Sequence, residues 1–409
     1  MIQAHHPTSS TNWPYHAYVD AHELASRIDQ ASPTMVALRH DLHAHPELSF
    51  AEHRTTAVIR DRLIELGWNV APSPTDTGAI ATLAGSRPGR RVMLRADIDA
   101  LPVAEERDLA YRSVHEGVMH ACGHDVHTAA LLGVAEVLAG WPDLAGSFTL
   151  VFQPAEEGLG GARAMVEGGV LDRHPADAVI GGHVTSLFPV GLVATRPGVV
   201  MSRATAFRVD LQGRGGHGAL ASVEGNVVLA VAHLVTRLSE VVDGLESDGA
   251  RCACSAGVVQ AGTANNVVPS TALIRGTLRT FTQDNYDLAM GRLTALVASL
   301  ESTFAVRGTL TLTEGSPAVV NDPNVTAVVS QAARAIVGDL FIDAMPPTSA
   351  SDDVSEFLNR IPGCYFFVGG ALPDGSSGSH HGPDFAVDDG AVRVMAHVLS
   401  ASALTLAAP

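Results

Sequence analysis

Five groups of residues in this 409-residue chain could bind a metal ion: Asp97-Ile98-Asp99, Cys122-Gly123-His124-Asp125, Glu156-Glu157, His183 and His380-His381. Each falls just past an expected strand end, where sites form in open α/β proteins. A thiol, several imidazoles and a carboxylate pair gathered there would suit metal-assisted hydrolysis. Cys122 and His124 are two residues apart, so an extended segment lets both reach one ion, and His120 and His127 lie nearby. Asp97 and Asp99 alternate and can face one side. A carboxylate there can ligate a metal or hold a ligating imidazole. Glu156 and Glu157 are adjacent and point in different directions, so one can hold an ion while the other takes a proton from water. Each group alone also has a plainer reading: loop or capping carboxylates, a buried thiol, a solvated acidic turn, a structural His183, a surface histidine pair. Their weight comes from occurring in one chain.

The elements that must position them alternate. A first helix is expected from Ser32-Pro33, ending at His45-Pro46. The Ser49-x-x-Glu52 capping box opens a second, stopped by Gly67. Residues 79–84, 91–95, 148–152 and 178–180 read as strands and 126–139 as a helix. The pattern then changes to β-α-β-β-α-β: strands at 206–211, 252–259, 273–280 and 309–313, with helices at 224–242 and 288–304. Helix 325–337 and strand 364–368 resume the first pattern. The expectation is an α/β fold, a sheet covered by helices, with an inserted ferredoxin-like α+β domain. Its parts are residues 1–202 and 315–409 for the catalytic domain and 203–314 for the insert.

Composition narrows the partners. The net charge is −17, from 26 basic and 43 acidic residues, which disfavours nucleic acid and anionic membranes. No uninterrupted apolar run is long enough for a transmembrane helix. Residues 1–18 lack a signal-peptide pattern and read as a frayed tail. Cys122, Cys252, Cys254 and Cys364 do not look like a disulfide framework, so free thiols and a cytoplasmic location are expected.

In the inserted segment, Gly213-Arg-Gly-Gly-His217-Gly presents one imidazole on a tight turn, and Asn266 and Arg279 could contact a substrate oxygen or carboxylate. All three also read as ordinary structural residues.

Taken in order, these motifs resemble the dinuclear metallo-amidohydrolases that include aminoacylases and related metallopeptidases. They look most like the hippurate hydrolases, auxin-conjugate hydrolases and other N-acyl-amino-acid amidohydrolases. The matching residues are Arg39-His-Asp-Leu-His43-x-His-Pro-Glu47-Leu, Arg95-Ala-Asp97-x-Asp99-Ala-Leu-Pro102, Met119-His-Ala-Cys122-Gly-His124-Asp125, Gln153-Pro-Ala-Glu156-Glu157-Gly158, Gly182-His183, Asn266-Val-Val-Pro269 and His381-x-Pro-x-Phe385. The resemblance implies a catalytic domain with an inserted lid, often a dimerisation domain. It implies that Cys122, His124, Glu157, His183 and His381 bind two metal ions, with Cys122 close to both. Glu156 would be the general base and Asp99 an orienting carboxylate. His217, Asn266 and Arg279 would bind the substrate carboxylate or the developing oxyanion. The chain departs from the family pattern after Gly216-His217, where a Pro-His step is replaced by Gly218-Ala-Leu-Ala-Ser-Val, and at Asp352-Asp353-Val354, in place of Glu-Asp-Phe.

The activity these readings imply is metal-dependent cleavage of N-acyl amino acids, as a homodimer. Zinc is the default metal, with manganese, cobalt or nickel as alternatives. A dipeptidase or carboxypeptidase, and a silent metal-binding protein on the same fold, are the competing readings.

Overall fold

The computed structural model describes residues 19–158 and 160–409, so the expected N-terminal tail lies outside the described residues. The chain forms two compact units. The first comprises Met1–Gly198, Val320–Met345 and Glu356–Pro409, and the second Val199–Val319 and Pro346–Ser355.

In the first unit, helix α1 (Ala21–Ala44) is capped by the Asp20 carboxylate, which accepts from the amides of His22 and Glu23. It starts well before the expected Ser32-Pro33 and carries Pro33 in its interior. An interior proline costs about 3 kcal/mol. Leu24, Ile28, Met35 and Leu42 form one buried stripe across it, and full burial of each such side chain contributes about 1.5–3 kcal/mol. The stripe outweighs the proline. Helix α2 (His53–Glu65) follows the expected stripe, but Ser49 and Glu52 bond elsewhere and its first amides, those of Arg54 and Thr55, go to the Glu47 carboxylate.

Strands β1 (Asn69–Ala71), β2 (Ala79–Ala84), β3 (Arg87–Asp97), β4 (Ala145–Gln153) and β5 (Ala178–Pro189) join strand Gly363–Ala371 and two short edge strands in an eight-stranded sheet. β3 runs parallel to both β4 and β5, and Gly363–Ala371 runs parallel to β5, while β2 is antiparallel to β4. The expected α/β class, a mixed sheet flanked by helices, is the one observed. Helix α3 (His124–Ala139), between β3 and β4, is buried almost all round. At Gly133 a Cβ would lie 2.0 Å from Met35 Sδ, so the Met35 side chain of α1 packs directly on α3 at this glycine. The last helix, Gly390–Ala407, is long and apolar enough by composition to cross a membrane, and 83% of it is buried within the protein. Arg393 interrupts its apolar run, which is why counting uninterrupted residues passes over it.

The second unit has a four-stranded antiparallel sheet in the order Ala253–Ala261, Thr271–Thr280, Arg203–Gln212, Arg307–Glu314. Helices Val227–Thr236 and Gln283–Phe304 start from side-chain caps at Asn226 and Thr282. The expected helix 224–242 breaks at Arg237, where the Thr236 hydroxyl donates to the carbonyls of Ala232 and His233. The unit also takes in Pro346–Ser355, which sequence order places after the insert.

Candidate metal centre

The site lies in the first unit, where β3, the start of α3, the turn after β4, β5 and the loop after Gly363–Ala371 converge. β3 ends at Asp97, whose carboxylate accepts from Arg95 at 2.8 Å and pairs with His127 Nδ1. His127 Nε2 accepts the amide of Val184 at 2.8 Å. Both nitrogens of His127 are therefore engaged. The trio Asp97, His124 and His127 is close enough to hold an ion, but Asp97 and His127 are bonded to each other and His127 ties α3 to β5.

Gly123 starts α3 with φ 87°, and a Cβ there would lie 2.3 Å from Val184 Cγ1. Only glycine turns the chain here, and the turn aims Cys122 and His124 at one place. His124 Nδ1 lies 2.9 Å from the Asp99 carbonyl oxygen, an obligate acceptor, so Nδ1 carries the hydrogen and Nε2 is the ligating nitrogen. That Nε2 is buried without a hydrogen-bond partner among the described residues. His183 is set the same way: Nδ1 meets the Val184 carbonyl oxygen at 2.6 Å, and Nε2 lies 3.5 Å from Cys122 Sγ. His183 is not past a strand end, as expected, but inside β5 opposite Phe367. β5 runs on beyond residue 180 because Gly363–Ala371 pairs alongside it.

The acidic turn is held through its backbone. Asp99 accepts the amides of Glu156 and Glu157, both at 3.1 Å, and the Ser49 hydroxyl at 2.7 Å. Glu52 accepts the Ala155 amide at 2.9 Å and the Thr77 hydroxyl at 2.6 Å. Ala155 sits at φ 55°, an unusual conformation for a residue with a Cβ. The supposed capping box is thus spent on the site: Ser49 on Asp99, Glu52 on Ala155. Glu156, Glu157 and His124 offer ligand atoms within 4.8 Å of one another. Glu157 Oε1 pairs with His381 Nε2 at 3.3 Å and lies 3.9 Å from His124 Nε2.

His381 is half exposed, with φ 64°, and its amide donates to the Ala121 carbonyl. Cys122, Glu157 and His381 form one candidate ligand set; Cys122, His124 and His183 form another. His380, given no role by the family spacing, also reaches the site, with Nδ1 3.7 Å from Cys122 Sγ.

The donor set fits divalent cations. Burial disfavours charge on His124, but Asp97, Asp99 and Cys122 outweigh it and raise its pKa well above the ordinary value. The same field favours a cation. Burial together with His127 and His380 holds His183 well below its ordinary value, neutral and ready to ligate. Burial pushes the Cys122 thiol up to about 12; a thiolate at neutral pH then needs an adjacent cation.

Behind the loop, Asp125 pairs with Arg39 and His43, and His43 with Glu105. Of these, Arg39, His43 and Asp125 lie within the motifs. Glu105 left no signal, since nothing local marks a carboxylate whose partner is 62 residues away.

The second unit sets His217 against Val267 in a two-residue ladder, and the Gly218 amide donates to the Asn266 carbonyl at 2.7 Å. His217 Nδ1 accepts the Ala219 amide, which leaves Nε2 as a donor. Arg279 lies on strand Thr271–Thr280 and donates to Ser351 Oγ at 2.8 Å.

Residues 93–405 match the family described as Peptidase family M20/M25/M40. The chain is similar to an N-acetyl-L-cysteine deacetylase of Bacillus subtilis, 36% identical over 91% of this chain and 88% of the relative. It is also similar to thermostable carboxypeptidase 1 of Saccharolobus solfataricus, 33% identical over 93% of this chain and 97% of the relative. The fold superposes on a Bacillus subtilis protein described as a dinuclear metal-binding peptidase of the M20 family, with TM-score 0.80, 30% identity, and coverage of 92% and 98% of the two chains.

Proposed function

The chain belongs to peptidase family M20/M25/M40 and is a hydrolase of amide bonds, and we propose that it removes the acyl group from N-acylated amino acids. The observation that carries this reading is the convergence of unsatisfied ligand atoms. Among the described residues His124 Nε2 is buried without a hydrogen bond and Glu157 Oε1 has only the His381 contact at 3.3 Å, beside Cys122, His183 and the carboxylate of Glu156. Leaving such groups unpaired costs about 1–3 kcal/mol each, more when charged. Bound cations would recover that cost.

Cys122, His124, Glu157, His183 and His381 would hold two divalent ions. Cys122 belongs to both candidate sets, so its sulfur would serve as a ligand in either. Zinc suits this thiol, imidazole and carboxylate set, and manganese, cobalt or nickel are alternatives. When bound, the ions supply Lewis acidity toward the scissile carbonyl and lower the pKa of water. Glu156 accepts the proton of the attacking water and delivers it to the leaving amine nitrogen. Asp99 keeps Glu156 in place through its backbone amide and keeps His124 in the ligating tautomer. His217, Asn266 and Arg279 bind the substrate carboxylate or the oxyanion, supported by the donor character of His217 Nε2 and the Arg279 guanidinium. Hippurate-like aromatic acyl groups and short acyl groups are both candidate substrates. The deacetylase relative supports acyl cleavage; the carboxypeptidase relative supports the second reading, cleavage of free peptides.

Primary-amine release from N-acetyl, N-benzoyl and indole-acyl amino acids, run beside free dipeptides with zinc or manganese, separates the two. Turnover of the blocked substrates alone is the expected result. Turnover of the free dipeptides alone would replace this reading with the peptidase one.

A further inference from the structure

Two imidazoles approach the Cys122 sulfur with opposite polarity. His183 turns Nε2 toward it with a lone pair, because Nδ1 is given to the Val184 carbonyl. Two such electron-rich atoms at 3.5 Å are compatible only through a cation or a shared proton. His380 differs. Its Nε2 accepts the backbone amide of Ser186 at 3.3 Å. A peptide N–H can only donate, so Nε2 holds the lone pair and the ring hydrogen sits on Nδ1. That Nδ1 lies 3.7 Å from Cys122 Sγ. The ring is fixed in this orientation between Phe385, at 4.8 Å between centroids, and His183, at 5.6 Å.

We infer that His380 is a positioning residue that donates a hydrogen bond from Nδ1 to the Cys122 sulfur and so tunes the sulfur as a metal ligand. It does not ligate: one nitrogen carries the hydrogen and the other is taken by Ser186. A donor hydrogen bond withdraws charge from a thiolate, lowers the energy of its lone pairs and orients it, as outer partners of metal ligands do. The inference rests on the reading of Cys122 as a ligand.

Cobalt(II) loaded into the full-length protein tests both, because a thiolate bound to cobalt gives a sulfur-to-metal charge-transfer band in the near ultraviolet. In His380→Phe, which keeps a ring but has no donor, that band is expected to move to longer wavelength. His380→Asn, whose amide nitrogen can stand near the place of Nδ1, is expected to return it toward the parent position. If the Phe variant does not fold, His380→Leu makes the same comparison. A parent band that the Phe or Leu variant leaves unmoved, or an Asn variant that shifts as far as Phe, overturns the donor role while leaving Cys122 a ligand. No charge-transfer band in the parent removes Cys122 as a ligand, and the inference with it.

Discussion

The short segment from Cys122 to Asp125 feeds two buried polar clusters built from the same residue types, and they differ in how they are satisfied. On the Asp125 side, Asp125 accepts from Arg39 at 3.1 Å and pairs with His43 at 3.0 Å, while Glu105 pairs with His43 at 3.3 Å and accepts the Ser113 amide at 2.8 Å. Arg39 also pairs with Asp389, so two cations face three carboxylates. Burial disfavours every charge here, yet Asp125 holds His43 up at about 9, and His43 and Arg39 hold Asp125 far below the usual carboxylate range. On the His124 side, among the described residues, His124 Nε2 has no hydrogen-bond partner and Glu157 Oε1 has only the His381 contact at 3.3 Å. A closed cluster stabilises the fold; an open one is built for something that binds. His120 shows that one orphan is not a site. Both its nitrogens lack partners and burial takes it down to about 4, but it belongs to no convergent ligand set among the described residues.

The contrast can be broken most directly at the open cluster. Glu156→Gln should lower turnover by about 10²–10⁴-fold, the usual contribution of a general base, with metal content unchanged by elemental analysis. Retained activity would remove Glu156 from the base role. Cys122→Ala should lose bound metal on gel filtration with little change in melting temperature; a full metal complement would exclude it as a ligand. Asp99→Ala removes the carboxylate that holds the Glu156 and Glu157 amides but keeps the carbonyl that sets the His124 tautomer, and kcat should fall by about 10–100-fold.

The closed cluster should respond in stability instead. Asp125→Asn leaves Arg39 with Asp389 and His43 with Glu105 as their remaining charged partners, and denaturant unfolding should register a loss of about 3 kcal/mol, the low end of the cost of breaking a buried pair. The pH dependence has a definite sign. His43 has a folded pKa above its ordinary value, so its contribution is full below about 6.5 and is lost as pH rises through about 9. Asp125 has a depressed folded pKa, so its contribution is full above about 4 and falls away in acid. Melting temperature should therefore drop between about pH 6.5 and 9 in the parent, and His43→Gln should remove that drop. The smallest expected effect lies outside both clusters: Asp20→Ala removes the cap of α1 and should cost about 1 kcal/mol in unfolding free energy, with no effect on metal content.

Much of this was legible in residue order. Periodicity located α2, α3 and most strands, since apolar spacing is a local record of which face is buried. The closely spaced candidate ligands Cys122-x-His124 and Glu156-Glu157 stood out for a similar reason. The misreadings have physical causes as well. Pro33 suggested a helix start, but the stripe on both sides of it decided otherwise. Ser49 and Glu52 matched a capping box, yet a carboxylate 50 residues away and an amide 103 residues away took their hydrogen bonds. The family spacing picks out His381 and says nothing of His380; the Ser186 amide makes His380 a donor.

The sequence by itself determined which chemistry was available: a thiol, imidazoles and paired carboxylates at strand ends, on alternating elements of an α/β chain. Only the tertiary structure decided which of those atoms were spent on each other. His127, Asp97 and Asp125 hold the scaffold, whereas His124, Glu157 and His183 present ligand atoms at the site, because tautomer and pairing depend on partners brought close by the sheet and not by the chain. Residue type is a local property; hydrogen-bond satisfaction is a property of the fold.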